Sequence, residues 1–224
     1  NGVESIREED FYSAASFCFS ANIQLRERIL EDESEAQLDI LRAATKSAAE
    51  SLLQDVDSIQ IETLSDLEAS IIVKERVYEV IEAEEDVSTA YLVERLESAR
   101  AWASFFEYNG TRVELDPAYL RTTCLTKINE ARERVNYLEL VLSDTSSYLE
   151  ELGDVQRVAR SDDFSYCIFR ASKLKAEANT VLGSVGIRRD RLTEFVVDKL
   201  SVAEQQIASQ TVFPILGFSY YSYA

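Results

Sequence analysis

The sequence predicts an all-α protein, either an antiparallel helical bundle or a short array of about three three-helix units. Three observations predict it. Gly (6) and Pro (2) are scarce in 224 residues, and both interrupt helices, so long unbroken helices are favoured. Apolar residues recur at helical spacing along most of the chain. Related patterns also return at near-equal intervals, with 76 residues from Asp10 to Asp86 and 77 from Asp86 to Asp163.

The elements follow in order. From Asp10, the segment DFYSAASFCFSANIQLRERIL places Phe11, Ala14, Ala15, Cys18, Ala21, Leu25 and Ile29 on one face, expected to point inward. A second helix runs from about Glu35 to Ile59 on the stripe Leu38, Leu41, Ala44, Ala48, Leu52 and Val56. A third starts near Thr63, where Thr63 or Ser65 can cap, and reaches about Glu84. The next begins after Asp86 and stops at Asn109-Gly110. Thr111 to Leu115 reads as an extended loop, and Pro117 opens a helix behind Asp116 that runs to about Ser143. Ser146–Arg160 is a weak helical patch, expected to be interrupted near Gly153. Helices over Asp163–Gly183 and Arg188–Gln210 follow, and Pro214 opens the last.

The repetition suggests units at 1–85, 86–162 and 163–224, the third truncated, unless the chain is one continuous domain. EEDFYSA, EEDVSTA and SDDFSYC share an acidic run, an Asp, an apolar residue and a small residue four after the Asp. Aligned on them, Ala14, Ala90 and Cys167 coincide, as do Leu25, Ala101 and Ala178, and Ile29, Phe105 and Leu182. The second helices match through TKSAAESLL, KINEARERV and KLSVAEQQI, which align Ala49 with Ala131 and Ala203, and Leu53 with Val135 and Ile207. Units of this kind bury their cores only by stacking on neighbours.

Composition excludes several classes. With 41 acidic and 23 basic residues the net charge is −18, so the basic surface that nucleic acid or anionic lipid requires is missing. No nucleic-acid partner is expected. The last uncharged stretch, Gln205–Ala224, holds too many polar residues for a membrane span, so no direct membrane insertion is expected. The absence of Met and the apolar, aromatic finish at Tyr223-Ala224 read as a fragment cut from a longer protein, soluble in itself, whose parent could be membrane-associated. Cys18, Cys124 and Cys167 lie inside apolar helical patterns and are expected as buried small hydrophobes, since an odd count without close spacing argues against a disulfide framework.

Histidine is absent, which removes nucleophile systems that need an imidazole base, and di-iron bundles built on Glu-x-x-His. Three scattered Cys supply no zinc set. The runs Glu31–Glu35 and Glu82–Asp86 lack the loop calcium requires and read as solvated helix ends. Asp162-Asp163 reads as a cap rather than a metal-diphosphate motif. Gly183 and Gly186 flank a turn without the partners of a phosphate loop. A Ser-Lys dyad would need an oxyanion-hole turn, and the six Lys all lie on predicted helices. No catalytic, cofactor-binding or metal residue is therefore named, and no cofactor is expected. What remains is aromatic: Phe213, Phe218, Tyr220, Tyr221 and Tyr223 crowd the end of the chain, and Phe11, Tyr12, Phe17 and Phe19 the first helix. Core packing explains such rings; a patch receiving another protein is the functional alternative, with the terminal five as candidate interaction residues.

The segments DFYSAASFCFSANIQLR and VFPILGFSYYSYA resemble the helical region that follows the protease domain of archaeal Lon-like serine peptidases. That resemblance implies a non-catalytic, accessory region of a Ser-Lys peptidase-related protein. The nucleophile loop of those enzymes has no counterpart here, so no catalytic residue carries over. The expectation is a protein-interaction or scaffolding domain whose partner is its own upstream domain or another subunit. The alternatives are a substrate-channel or regulatory part of such a peptidase, and a small-molecule pocket between helices.

Overall fold

The computed structural model describes residues 2–7, 11–212 and 214–223; Phe11, Tyr12, Ser219, Ser222 and Tyr223 are described by their backbone alone. The acidic run Glu8–Asp10, from whose last residue the first helix is expected to start, lies outside the described residues. The chain is all-α. Its helices are α1 (Gly2–Arg7), α2 (Phe11–Leu30), α3 (Glu35–Asp57), α4 (Leu64–Ile81), α5 (Thr89–Ala103), α6 (Pro117–Leu138), α7 (Ser146–Arg160), α8 (Phe164–Ser184), α9 (Leu192–Ala208) and α10 (Ile215–Tyr223). Short 3₁₀ turns cover Ser104–Glu107 and Arg189–Arg191. Among the described residues no strand forms, and one isolated bridge pairs Thr63 with Arg112.

Local chemistry explains the starts and stops. Thr63 opens α4 with a capping box: its hydroxyl accepts from the Asp66 N–H at 3.1 Å, and the Asp66 carboxylate accepts from the Thr63 N–H at 2.8 Å. Asp116 caps α6 ahead of Pro117 by accepting from the Ala118 N–H. Asp86 is not a cap; Ser88 takes that place for α5, two residues later. Asp163 caps α8, while Asp162 makes the turn before it at φ 61°. Gly110 is needed where the chain passes the start of α4, since a Cβ there would stand 2.5 Å from the Ser65 hydroxyl. The break expected near Gly153 does not occur. α7 runs through it, because one glycine costs a helix only about 1 kcal/mol and the flanking Leu152 and Val155 are buried.

The chain forms two compact units, Asn1–Arg112 with Ala203–Ala224, and Val113–Val202. Neither 85/86 nor 162/163 is a boundary between them. In the first unit α3 packs on α4 and α5, and α4 on α5; α2 lies on α5, α1 on α2, and α10 on α2 and α4. Its core joins Ala49 and Val56 of α3, Val73, Val77 and Val80 of α4, and Leu92, Leu96 and Ala99 of α5. In the second unit α6 packs on α7 and α8, and α7 on α8. Its buried residues are Cys124, Ile128, Ala131, Val135 and Leu138 of α6, Leu152, Val155 and Val158 of α7, and Cys167, Ala171, Leu174 and Ala178 of α8.

The two trios, α3–α4–α5 and α6–α7–α8, therefore share one packing pattern. Each takes two helices from one sequence unit and the first helix of the next. Ala49 and Ala131, aligned in sequence, are both fully buried. Each trio also carries the same polar clasp on its third helix. In α5 the Arg95 guanidinium donates to Glu79 of α4 at 2.7 Å, and the Tyr91 hydroxyl donates to that carboxylate at 3.0 Å. In α8 Arg170 grips Glu151 of α7 with two bonds of 2.9 and 2.7 Å, and lies over the Tyr166 ring. Tyr91 and Arg95, like Tyr166 and Arg170, are four residues apart and so share a helix face.

Two expectations about the core need correction. Cys124 and Cys167 are buried but not free: they form a disulfide, with Cα atoms 5.7 Å apart, inside the range a bridge requires. They lie 43 residues apart, and only the packing of α6 on α8 brings them together. Cys18 is free and exposed, not buried. The stripe of α2 expected to face inward is also mostly outside. Ala14 is buried, but Cys18 and Ala21 are exposed and Leu25 and Ile29 are 61% and 63% exposed. α2 meets α5 with another face, through Phe19 against the Tyr91 ring and Arg26 on the Glu94 carboxylate at 2.5 Å.

Candidate functional site

The aromatic finish of the chain is the sequence-predicted site, and the structure divides its residues. Phe213 lies outside the described residues, as does the Tyr223 side chain. Phe218 and Tyr220 are 37% and 39% exposed, and Tyr221 is half-buried. α10 rests on a line of carboxylates along α4, Glu68 and Glu75, seven residues apart and thus on one face. Near its start, the Leu216 N–H donates to Glu68 Oε1 at 3.2 Å. One turn later, the Tyr220 hydroxyl donates to Glu75 Oε2 at 2.5 Å.

The electrostatics of this seat follow from its geometry. Burial raises Glu68 above the ordinary carboxylate range, and the N–H groups of Leu216 and Ile215 pull it partly back. Partial burial, with the negative Glu75 beside it, pushes the Tyr220 phenol upward, so it stays protonated and donates. Burial works against the charge of Arg95, but the Glu79 carboxylate outweighs it and holds the guanidinium above its ordinary value. The arrangement holds a helix. It offers no nucleophile beside a base, and Tyr220 spends its hydroxyl on the carboxylate.

Elsewhere the chemistry is sparse. Among the described residues no group of three or more Cys, Asp or Glu side chains could hold a metal ion, and no helix is long and apolar enough to cross a membrane. Phe17 does border a groove, with Val3, Ile6, Cys18 and Ala21. It is open to solvent along its length, unlike the pockets that enclose most of a small ligand.

The conspicuous surfaces are apolar helix faces. No residue of α9 is buried, although the helix carries Leu192, Phe195, Val196, Val197, Leu200, Val202 and Ile207. Val196, Val197 and Val202 are 48%, 58% and 51% exposed. With the outer stripe of α2, these faces were not singled out from the sequence. A helical apolar stripe reads as core there, and only the fold shows which stripes lack a cover. Comparison with protein-family models, curated proteins and solved structures finds no match for this chain.

Proposed function

We propose that the chain is a non-catalytic, helical protein-interaction domain, the accessory region of a Lon-like protease-related protein. The observation that carries the interaction reading is the apolar surface of α9 and α2, open on an otherwise acidic protein. Contiguous apolar surface of that kind marks sites where another protein binds. The Lon-like context rests on the resemblance of the first and last segments. The disulfide favours an oxidising location, where such bonds persist.

The test is site-specific photo-cross-linking in the native cell, with a cross-linking residue at Val197 or Val202. Discrete protein adducts are expected from both positions. Adducts no more abundant than those from Leu140, an 80% exposed residue off both faces, would sink the reading. A direct part in proteolysis is the second reading, supported only by the resemblance. Cleavage by the parent unchanged on deletion of this region would reject it.

A further inference from the structure

The end of α5 carries three rings at a spacing of three. Trp102, Phe105 and Tyr108 run from the last turn of α5 through the 3₁₀ turn Ser104–Glu107. Residues three apart eclipse in a 3₁₀ turn, and the rings form a column. Phe105 stacks on Trp102, with centroids 4.9 Å apart and planes at 25°, and Tyr108 follows at 5.8 Å. Packing fixes the inner end, where Trp102 and Phe106 press against the core of the first unit. The backbone fixes the outer end, where the Tyr108 N–H donates to the Phe105 carbonyl at 3.1 Å. Held in this way, the column still shows solvent two large rings, Phe105 at 36% and Tyr108 at 64% exposed.

Two observations indicate what such a column takes. The Arg76 guanidinium already lies over the Trp102 ring, 5.4 Å from its centroid, so a cation occupies the inner end while the outer end is open. A guanidinium lies flat on an aromatic face and is attracted by the negative potential there. The charge of the chain is also lopsided. The first unit, Asn1–Arg112 with Ala203–Ala224, holds 26 acidic and 10 basic residues, a net −16, whereas Val113–Val202 holds 15 and 13, a net −2. The open rings therefore stand in the field of the acidic unit, which gathers cations and repels phosphate backbones. Glu107, exposed and next to Tyr108 in sequence, adds a carboxylate.

We propose that the Trp102–Phe105–Tyr108 column docks a basic segment of a partner protein, with an arginine of that segment stacked on the open rings of Phe105 and Tyr108. Arginine rather than lysine fits, because a planar guanidinium stacks where a hydrated ammonium acts as a point charge. The site shares no residue with the α9 and α2 faces and so goes beyond the interaction reading built on them. Peptide binding at the column and cross-linking at those faces succeed or fail separately.

The probe is a short peptide of alternating Arg and Gly, titrated calorimetrically into the full chain beside the same peptide with Lys in place of Arg. The arginine peptide should bind at least about threefold more tightly than the lysine peptide, although their charges are equal. Tyr108→Ala, at an exposed position, should weaken the arginine peptide about two- to fivefold, as expected for a cation on an exposed ring. Tyr108→Phe should keep the affinity. Tyr119→Ala removes a 68% exposed ring from the second unit and should change nothing. Equal binding of the two peptides, an affinity indifferent to Tyr108→Ala, or an equal loss with Tyr119→Ala would mean that the acidic surface at large attracts them, and would overturn the proposal. Loss of affinity in Tyr108→Phe would overturn it too, since the hydroxyl and not the ring would then be the contact. So would an arginine peptide that does not bind at all at low salt.

Discussion

Single carboxylates carry opposite signs of linkage in this protein. Glu68 is raised by burial beneath α10 from its ordinary 4.5, so its contribution is full below that value and is lost as pH rises through the folded-state value. Glu68→Gln keeps an acceptor for the Leu216 N–H and removes the titration. Relative to wild type, the variant should gain stability as pH rises from 4 to 7, read from urea midpoints. A difference constant across that range would refute the assignment. Glu130 is the reverse case. The side-chain bonds from Lys175 and Lys127 hold it down at about 2, so its contribution is present above the ordinary value and fades as pH falls towards about 2. Carboxyl NMR should find Glu130 titrating below the other glutamates, and Lys175→Met should move its midpoint up. The carboxylate types were visible in the sequence. Lys127, three residues from Glu130 on one helix, was readable too; Lys175 and Leu216 were not, because α8 and α10 are distant in sequence from the carboxylates they meet.

At the scale of elements, helices were legible and their covers were not. The starts of α4, α6 and α8 followed from capping chemistry, whereas the stop expected at Asn109-Gly110 falls beyond α5, which ends at Ala103 and passes into a 3₁₀ turn that reaches Glu107. Gly153 was misjudged because burial of Leu152 and Val155 in the second unit decides whether α7 persists. A Cβ at Gly153 meets nothing within 4 Å, so Gly153→Ala should raise stability by about 0.5–1 kcal/mol in a urea melt. A loss would show that the helix needs glycine there. The disulfide is the other element-level determinant. It closes a loop of 43 residues, and the loop-entropy model assigns such a bridge about 4 kcal/mol. Reduction by dithiothreitol, or Cys124→Ala with Cys167→Ala, should lower the urea midpoint of the unit Val113–Val202. An unchanged midpoint would mean the α6–α8 packing needs no bridge.

For the whole molecule, charge opposes association and apolar helix faces promote it. Copies of net charge −18 repel over distances that salt shortens, from about 30 Å at 0.01 M to about 3 Å at 1 M. Association of such copies through apolar helix faces should therefore strengthen between about 0.05 and 0.5 M salt, as a rise in weight-average mass. A fall in mass with salt would mean that opposite charges, not apolar faces, hold the copies. This part of the candidate site was half-legible. Ala14 is buried as its stripe predicts, yet Cys18, Ala21 and Leu25 of the same stripe are exposed, because an amphipathic stripe predicts a cover without saying whose or how far it reaches.

The sequence by itself determined that the chain is helical, where most helices begin and end, and that histidine-dependent chemistry is out of reach. Those properties are set by neighbours a few residues away and by composition. The tertiary structure alone decided that Cys124 finds Cys167, that α10 sits on Glu68 and Glu75, and that α9 has no buried residue. These are pairings between distant segments, and local periodicity specifies a face for each helix without specifying its partner.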